Sequence, residues 1–476
     1  MGSHPAAALA RVGSASTLMR RAFTSRAKPA TMAMLAVLLI GFQLAFWLWL
    51  QSPLGVLLPG DEPLYLLDAQ RWLAGAGLYT DIFLAHLPAR IWQAALPMAL
   101  GAPVFWGKLW APLATLVTAA LLARLTWRSH GPGAALAAVA LFLFSPRVLQ
   151  DGAALVGVEQ ALLLATLATV LVLAQRAGLA GLVVALAAQW ALHVAVLLPL
   201  LLFWTWRDRT LRRFLIGLAI GTVPLVAACL VYGAPLLAQV VAYHAQKVQH
   251  ISGHTGPDRV LPFLAEQAPL LLLALAAALR GGSLARRLAC SGWTALALVL
   301  LWPRLQSYYF LLPLPWLVAA AAMGLSESPR ALRRCAMGLA VVVAVAWALP
   351  TALPRREGRV AAEREMQALA AQVLALAPAG PIWGDGALVP LLALRTRLAV
   401  AGGDTDVNAQ RFLSGQTPPA RHIAAVLAER PLVVWVPRHG VATVPQIASA
   451  VAERCDPLAP FSAPAAKFSG VLLRCR

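Results

Sequence analysis

The chain has 476 residues, of which 60% are hydrophobic and only 12% are charged, and its mean hydropathy is +0.73. Soluble globular proteins are about half apolar and a quarter charged, so this composition excludes an ordinary soluble protein and indicates an integral membrane protein. The net charge of +20 comes from arginines in short loops between apolar stretches. That pattern is typical of topology determinants and of contacts with anionic membrane lipid, and it argues against nucleic acid as a partner.

Apolar stretches of about 20 residues, each long enough to cross a bilayer, recur from residue 31 to residue 353. If the basic arm of residues 1–30 is cytoplasmic, every strong arginine cluster in a short loop falls on that same side. We therefore predict an all-α polytopic membrane protein of about eleven transmembrane helices, residues 31–353, followed by a small C-terminal α/β extracytoplasmic domain, residues 355–476. Bounds are predicted for spans at 31–51, 106–126, 132–147, 160–175, 214–232, 288–302 and 336–353, with a hairpin of two further spans inside 178–206.

The segment of residues 52–105 is too polar and too broken to be a simple span. We predict that it is the first external loop and that it contains short helices around residues 65–73 and 91–100. A second external segment, a polar loop, is expected at residues 233–262. Both loops bring charged side chains to the outer face of the membrane.

The C-terminal region changes in composition from about residue 355 onward. An amphipathic helix is predicted at residues 360–376, and short β-type runs at 381–383, 397–400 and 431–436 are separated by Gly, Pro and Asp turns. Cys455 and Cys475 are able to form a disulfide if this region faces an oxidising compartment. The tail shows no catalytic constellation.

Charged side chains near the membrane on the outer side are candidates for function, because they cost several kcal/mol unless they are solvated or paired. A carboxylate can act as a general base on a hydroxyl, and Arg, Lys or His can hold a phosphate leaving group. The predicted outer segments supply Asp61, Glu62, Asp68, Asp81, Asp151 and Glu159 as acids, and His86, His244, Lys247, His250, His254, Arg259 and Arg304 as bases.

The first external loop carries a recognisable set of motifs. Its sequence runs Gly-Asp-Glu-Pro-Leu-Tyr over residues 60–65, Gly-Leu-Tyr-Thr-Asp over 77–81 and His-Leu-Pro over 86–88. It resembles the first external loop of the GT-C fold glycosyltransferases, in particular the group of protein mannosyltransferases and lipid A aminoarabinose transferases. The resemblance covers residues 30–325 in topology but is specific in motif only around 60–88.

Weaker matches extend this resemblance. Glu159 stands where the family has a second acid, usually Asp, and His193 stands where many members have Lys. Arg304, Tyr308 and Tyr309 resemble the start of a late span in the family. The lysine that the family has before its proline element is replaced around His86, which puts the substrate in doubt more than the fold.

The resemblance implies an enzyme of the bacterial inner membrane that transfers a sugar from a polyprenyl-phosphate donor to an envelope glycan, lipid or protein, with inversion at the anomeric carbon. Asp61 would be the base. Glu62 or Glu159 would share that task, or would bind sugar hydroxyls or a divalent cation, although no metal site is assigned. The leaving phosphate would be held by Lys247, His250, Arg259 and Arg304, with Asp81, His86, His193, Tyr308 and Tyr309 as further substrate-binding candidates.

Simpler interpretations stand beside these roles. Asp61 and Glu62 are able to cap the helix that follows them, Glu159 to begin a helix, and His193 to be an ordinary core histidine. Asp81 is equally suited to loop structure. Two other functions remain, a transporter or flippase of an amphipathic lipid-linked substrate and a structural subunit of an envelope complex, although the halves show none of the symmetry typical of transporters.

Overall fold

The computed structural model describes residues 56–247, 257–301 and 306–476, together with Gly41 and Trp49. The basic arm and the bounds of the first span lie outside the described residues. So do two of the predicted site residues, His250 and Arg304.

Helices make up most of the described chain, and the first two confirm the short helices predicted in the external loop. A 3₁₀ turn at Val104–Leu109 leads into the third helix, and another at Leu192–Leu197 leads into the eighth. The helices of this half are α1 (Asp61–Leu73), α2 (Ala89–Ala99), α3 (Trp110–His130), α4 (Pro132–Leu143), α5 (Pro146–Asp151), α6 (Val158–Leu173), α7 (Ala177–Ala187) and α8 (Leu198–Arg207).

The second half of the helical part ends in one very long helix. This half of the chain also contains a π-helical turn at Ala238–Ala242 and a 3₁₀ turn at Ser307–Leu311. Its helices are α9 (Leu211–Gly221), α10 (Val223–Leu237), α11 (Tyr243–Lys247), α12 (Pro257–Arg280), α13 (Ser283–Leu300), α14 (Leu314–Glu327) and α15 (Arg330–Leu376).

Four helical stretches in the described ranges are long and apolar enough to cross a membrane: Trp106–His130, Leu211–Lys247, Asp258–Arg280 and Ser307–Glu327. Shorter apolar helices such as α4, α6 and α7 pack with α14 around a core of alanine, leucine and valine side chains. The structure thus confirms a helical membrane protein, whereas the number of eleven spans and the orientation of the termini stay predictions.

Residues 233–247 are helical, so the polar loop predicted at 233–262 is wrong in its first part. Gly233 has φ +56°, which turns the chain without ending the helical stretch, and the apolar residues after it continue the pattern of the span. Lys247 therefore lies at the end of a helix rather than in a loop.

The boundary predicted at residue 353 falls inside a helix and stays a prediction. Helix α15 runs without a break from Arg330 to Leu376, past two prolines at positions 350 and 354. The predicted amphipathic helix at 360–376 is the last part of this helix, and one continuous element leads from the apolar bundle to the tail.

The tail contains a four-stranded sheet in the order β1-β2-β4-β3. Strands β1 (Ile382–Gly384) and β2 (Leu432–Trp435) pair in parallel, which confirms two of the predicted β-type runs. The run at 397–400 forms only one bridge, between Val400 and Ile382. The remaining elements are α16 (Val389–Thr396), α17 (Ala409–Leu413), α18 (Pro419–Ala428), α19 (Pro445–Arg454), β3 (Cys455–Ala463) and β4 (Phe468–Cys475).

The antiparallel hairpin β3–β4 was missed by the sequence analysis because β3 contains two prolines. Pro457 and Pro460 are tolerated since β3 is the edge strand of the sheet, where a missing N–H breaks no ladder on the open side. Cys455 pairs directly with Cys475 in this hairpin, and the two form the disulfide that the sequence allowed.

One hydrophobic core joins the external loop to the tail. Leu432 and Val434 on one face of β2 belong to the cluster that contains Leu66 of α1 and Ile91 of α2. Val433, on the other face, packs with α18 and α19. Packing therefore fixes the external loop against the tail, and the candidate site lies where the two meet.

Removing the disulfide tests how much it contributes to the tail. We expect Cys455→Ala with Cys475→Ala to lower the free energy of unfolding of the tail by about 3 kcal/mol, because the bond closes a loop of 20 residues in the unfolded chain. Thermal melting and limited proteolysis of the detergent-purified protein measure the change. The exposed free cysteine supplies the control, Cys290→Ala, which should melt like the parent. Identical melting of the double variant and the parent would contradict the expectation.

Candidate active site

Helix α1 begins directly at the acidic pair. Its N-cap is Gly60, with φ +136°, and no side chain caps the helix, so the interpretation of Asp61 or Glu62 as a cap is wrong. The two carboxylates occupy the first turn, where the helix dipole favours negative charge. Gly60 donates its N–H to the carbonyl of Ala387 in the tail, at 3.2 Å, which fixes the start of the helix.

Glu62 is engaged in structural contacts. Its Oε2 lies 3.1 Å from Nζ of Lys108, and its Oε1 accepts a hydrogen bond from the backbone N–H of Leu155 at 3.0 Å. The Lys108 ammonium is almost fully buried and also donates to the carbonyl of Val56, at 2.7 Å. Glu62 thus holds α1 against the start of the α3 span and the turn before α6.

The Asp61 side chain is accessible to solvent, yet protein surrounds it on most sides. This combination is expected of a side chain that lines a deep recess. This burial raises the pKa of Asp61, and the negative charge of Asp406 raises it further. The positive charges of Arg90 and Lys247 act in the opposite direction. A carboxylate with a raised pKa and two cations nearby suits a general base beside an anionic substrate.

Arg90, in α2, was missed by the sequence analysis. It is buried, its Nη1 donates to the Tyr65 hydroxyl at 2.8 Å, and its Nε donates to the carbonyl of Trp190 at 2.8 Å. A Cβ at Gly157 would lie 2.7 Å from Arg90 Nε, so a glycine is needed there. Arg90 and Arg71 are the only arginines or lysines in residues 52–105, a signal that could have identified it.

His86 lies between two aromatic rings at this recess. Its ring centroid is 5.9 Å from that of Tyr65 and 5.7 Å from that of His244, whose Nε2 lies 2.7 Å from the carbonyl oxygen of Ala85. Burial lowers the pKa of His86 well below its usual value, and the charge of Arg90 lowers it further. His86 is therefore neutral at physiological pH.

Lys247 reaches the recess from the end of the long apolar helix. Its Nζ lies 4.9 Å from the centre of the Tyr243 ring. The π-helical turn before it carries Gln239, which accepts from the N–H of Leu84 and donates to the carbonyl of Tyr79, both at 2.8 Å. These two hydrogen bonds fix the helix that carries Lys247 against the external loop.

The tyrosines predicted before the late span line another side of the recess. The ring of Tyr309 is 4.3 Å from that of His193 and 4.9 Å from that of Tyr308. Tyr308 lies within the electrostatic reach of Asp61 and Arg90. The structure therefore brings these predicted residues to the same side of the bundle as the acidic pair.

Glu159 lies deeper than the acidic pair. Its side chain is fully buried in the first turn of α6, and neither carboxylate oxygen has a hydrogen-bond partner among the described residues. Side-chain nitrogen or oxygen atoms of Gln160, Gln189 and His193 are likewise buried without a hydrogen-bond partner among the described residues. Buried polar groups are rarely left without partners, so these atoms are candidates to bind water or a polar ligand.

Two predicted acids have other roles. Asp81 is exposed, and its Oδ2 accepts from the N–H of Gly77 at 2.8 Å, so it closes a turn in the external loop. Asp151 lies 3.5 Å from Arg147 at the end of α5, and burial raises its pKa to about 6. Neither carboxylate is among the charges that act on Asp61.

Among the predicted basic residues, Arg259 donates through Nη1 to the side-chain oxygen of Gln306, at 2.6 Å, just before the two tyrosines. His250 and Arg304, on either side of it in sequence, lie outside the described residues. Among the described residues, Lys247 and Arg90 are the cations whose charges act on Asp61.

The tail contributes a residue that the sequence analysis did not assign. Asp406 acts on Asp61 from across the interface between tail and external loop. The sequence analysis assigned no site residue in the tail, whereas this tail carboxylate lies within electrostatic reach of Asp61. We call this group the Asp61 recess and define it as Asp61, Tyr65, His86, Arg90, Lys247, Tyr308 and Asp406.

Within the described ranges, no three or more His, Cys, Asp or Glu side chains are arranged to hold a metal ion. The histidines at 86 and 244 pack ring against ring, as described above.

Comparison with known proteins gives a fold match. Over 92% of this chain and 97% of the other, the structure is similar to that of ArnT from Cupriavidus metallidurans bound to undecaprenyl phosphate, with a TM-score of 0.68 at 13% sequence identity. The apo structure of the same enzyme matches with a TM-score of 0.63 at 15% identity, over 93% of this chain and 98% of that one.

These matches cover nearly the whole of both chains, tail included, so the resemblance to GT-C glycosyltransferases of the lipid A aminoarabinose transferase group is confirmed at the level of the fold. No model of a protein family matches the sequence, and no curated protein shows significant sequence similarity to it. Beyond the motifs of the first external loop, the similarity is therefore found by comparing structures rather than whole sequences.

A double-mutant cycle tests the structural role of Glu62. We expect Lys108→Met to lower the free energy of unfolding by about 3 kcal/mol, because it leaves the Glu62 carboxylate largely buried without its cation. Combining it with Glu62→Gln should recover part of that loss, since the amide oxygen still accepts from Leu155 and no charge remains. Thermal melting in detergent measures all four proteins. Strictly additive losses would show that the pair does not interact.

Asp68 is fully buried in α1 and accepts a hydrogen bond from the Thr405 hydroxyl. Burial raises its pKa to about 8. Between about pH 4 and 8 the unfolded chain releases this proton while the folded chain keeps it, so stability falls as pH rises and levels off above 8.

Asp68→Asn removes this titration. We expect its stability relative to the parent to increase by about 1 kcal/mol for each pH unit from 5 to 8. Melting curves at a series of pH values give the difference. A difference that stays constant over that range would contradict the raised pKa.

Proposed function

We propose that this protein is a glycosyltransferase of the bacterial inner membrane that transfers a sugar from a polyprenyl-phosphate donor to an acceptor hydroxyl of the envelope, with inversion at the anomeric carbon. The observation that carries the proposal is the Asp61 recess: one accessible carboxylate with two cations, in a membrane protein of GT-C fold. The structural neighbour ArnT was solved bound to undecaprenyl phosphate, which supports a polyprenyl phosphate as the lipid partner.

Asp61 would accept the proton of the acceptor hydroxyl. The acceptor oxygen then forms a bond to the anomeric carbon from the face opposite the phosphate, and the bond between that carbon and the phosphate oxygen breaks. The electron pair leaves with the lipid phosphate. One displacement of this kind inverts the anomeric centre, and the raised pKa of Asp61 makes it a stronger base than an ordinary carboxylate.

Arg90 and Lys247 would hold the lipid phosphate and offset the charge that it gains on leaving. Arg90 is already fixed by two hydrogen bonds at 2.8 Å, so its position needs no reorganisation during the reaction. His86, being neutral, is suited to hydrogen bonding rather than to charge compensation. Arg259, His250 and Arg304 stay candidates for the same phosphate.

Glu159 and His193 would bind the sugar. Glu159 and His193 offer buried polar atoms without partners among the described residues, and Tyr309 packs against His193 as an aromatic wall. Hydroxyls of a sugar would satisfy those atoms. Tyr308 and Asp81 remain substrate-binding candidates, and Glu62 is proposed to position Asp61 through the pair with Lys108 rather than to react itself.

The membrane arrangement extends this proposal. The N-terminal arm, residues 1–30, would be cytoplasmic, and residues 355–476 would form an extracytoplasmic domain above the transmembrane domain of residues 31–353. The disulfide of the tail agrees with an oxidising compartment. Leu230 and Val231, strongly exposed on the long apolar helix, are available to membrane lipid or to the polyprenyl chain.

The rate at which purified variants release undecaprenyl phosphate tests the role of Asp61 as the base. With a panel of undecaprenyl-phosphate sugars and envelope lipid, glycan and protein acceptors, we expect the parent to release undecaprenyl phosphate. Asp61→Asn should lower that rate about 10²- to 10⁴-fold, because the amide cannot take the proton.

The matched control is Asp456→Asn, which neutralises an exposed carboxylate on β3 that is paired with Arg476 far from the recess. It should release lipid phosphate at the parent's rate. Full turnover by Asp61→Asn with normal melting would overturn the role of Asp61. Transport of the intact lipid-linked sugar without lipid phosphate release would favour the flippase alternative.

A further inference from the structure

Gln239, on the long apolar helix, uses both halves of its side-chain amide on the external loop. The amide oxygen accepts from the N–H of Leu84, and the amide nitrogen donates to the carbonyl of Tyr79, both at 2.8 Å. This contact needs a donor and an acceptor on one side chain, which an aliphatic residue does not have and a carboxylate supplies only in part. Gln239 therefore holds two points of the external loop at once.

The part of the loop that Gln239 holds runs from Tyr79 to His86 and is closed at its far end. Tyr79 has φ +67°, in the left-handed region, which costs free energy for a residue with a side chain and is kept only where the surroundings enforce it. The Tyr79 hydroxyl donates to the backbone carbonyl of His86 at 2.7 Å. The position of His86 therefore depends on the conformation at Tyr79, where Gln239 binds.

The π-helical turn brings a second residue of the same helix onto this loop. The N–H of Tyr243 donates to the carbonyl of Ala238, five residues earlier, where an α-helix bonds residues four apart. The extra residue rotates all that follows by about 100° relative to an unbroken α-helix. His244 lies on the same face as Gln239 as a result, and its Nε2 donates to the carbonyl of Ala85 at 2.7 Å.

The His86 ring is the group that this arrangement presents to the recess. Its centroid is 5.9 Å from that of Tyr65 and 5.7 Å from that of His244, and the Tyr65 hydroxyl accepts from Arg90 at 2.8 Å. Neither ring nitrogen of His86 is hydrogen-bonded within the described ranges, and the residue is partly exposed. A neutral imidazole has one donor and one acceptor nitrogen, so both stay available to a substrate.

We propose that Gln239 is a positioning residue for the transfer, which places the His86 ring for contact with the substrate through the loop of residues 79–86 and the π-helical turn. This inference rests on the proposed function, in which His86 forms hydrogen bonds to the substrate. Gln239 acts through His86 and not on the reacting groups. Its effect on the reaction arises because hydrogen bonds weaken steeply when their distance or angle departs from the optimum.

A kinetic double-mutant cycle tests this link. Gln239→Leu removes both hydrogen bonds and keeps a side chain of similar size. We expect it to lower kcat/KM for the undecaprenyl-phosphate sugar about tenfold, the loss that follows when a hydrogen bond between enzyme and substrate is weakened. In the background of His86→Ala the same substitution should change kcat/KM by less than twofold, about the scatter of such cycles, because the group that it positions is then absent.

The matched control is Gln246→Leu, the same substitution on α11 beyond the π-helical turn. Gln246 accepts from Nε2 of Gln416 in the tail at 2.7 Å, so this variant loses a hydrogen bond to the tail and none to the external loop. It should keep the parent's kcat/KM. An equal loss in Gln246→Leu overturns the proposal, because general loosening of the helix end would then explain both. So do multiplicative losses for Gln239→Leu and His86→Ala.

Tyr79→Phe breaks the same link at its other end and removes only one hydroxyl, so it serves if Gln239→Leu does not fold. We expect a smaller loss of kcat/KM, again absent in the background of His86→Ala. Normal melting in detergent establishes that each variant is folded. A loss that persists without the His86 ring would contradict the positioning role.

The ring of His86 also gives a reading that needs no turnover. In spectra of detergent-purified protein labelled with ¹⁵N-histidine, the resonances missing from His86→Gln identify this ring. They should move or broaden in Gln239→Leu and stay in place in Gln246→Leu. A parent without turnover on any donor defeats the proposed function alone, whereas identical His86 resonances in Gln239→Leu and the parent defeat this inference alone.

Discussion

The guanidinium of Arg90 is the interaction on which the arrangement of the site depends. It joins three segments that are distant in sequence, through Tyr65 in α1, the Trp190 carbonyl before α8 and the close approach of Gly157 before α6. A buried guanidinium must have its donors satisfied, so these segments are held in one geometry. The same charge acts on Asp61, which ties the shape of the recess to its electrostatics.

The recess is built on packing that the apolar bundle alone does not provide. Leu66 and Ile91 of the external loop share a core with Leu432 and Val434 of the tail sheet, while the bundle has a core of its own. The external loop is therefore a layer between membrane helices and tail. Polar side chains collect at its edges because its interior is filled by the shared core, and there Asp61 and Lys247 lie within electrostatic reach of each other.

Local patterns in the sequence predicted the local parts of this structure. The helices of the external loop and the strands at 382–384 and 432–435 follow from periodicity, and the acidic pair was identified from a motif beside a span. The bond of Arg90 to the Trp190 carbonyl and the bond of Thr405 to Asp68 were missed because each joins parts of the chain about 100 and 340 residues apart. The edge hairpin was missed since its prolines are acceptable only where no further strand pairs.

The similarity to ArnT at 13% identity is a similarity of fold. In this chain the helix that begins at the acidic pair packs against the tail through a shared hydrophobic core. A neutral His86 precedes the proline at 88, and cations of α2 and α11 act on Asp61. Nearly the whole architecture is thus shared by two sequences of low identity.

Helix α1 carries two carboxyl groups in different surroundings. Burial raises the pKa of Asp68 to about 8, although the hydrogen bond from the Thr405 hydroxyl favours the ionised carboxylate. Burial raises the pKa of Asp61 as well, and the ionised form of Asp61 would be the base of the proposed reaction. The cost of keeping Asp68 protonated in the folded chain grows between about pH 4 and 8 and is constant above 8, so the contact between α1 and Thr405 of the tail is strongest in acid. The proposed base gains its ionised form as the pH rises, so the two carboxyl groups of this one helix depend on pH in opposite directions.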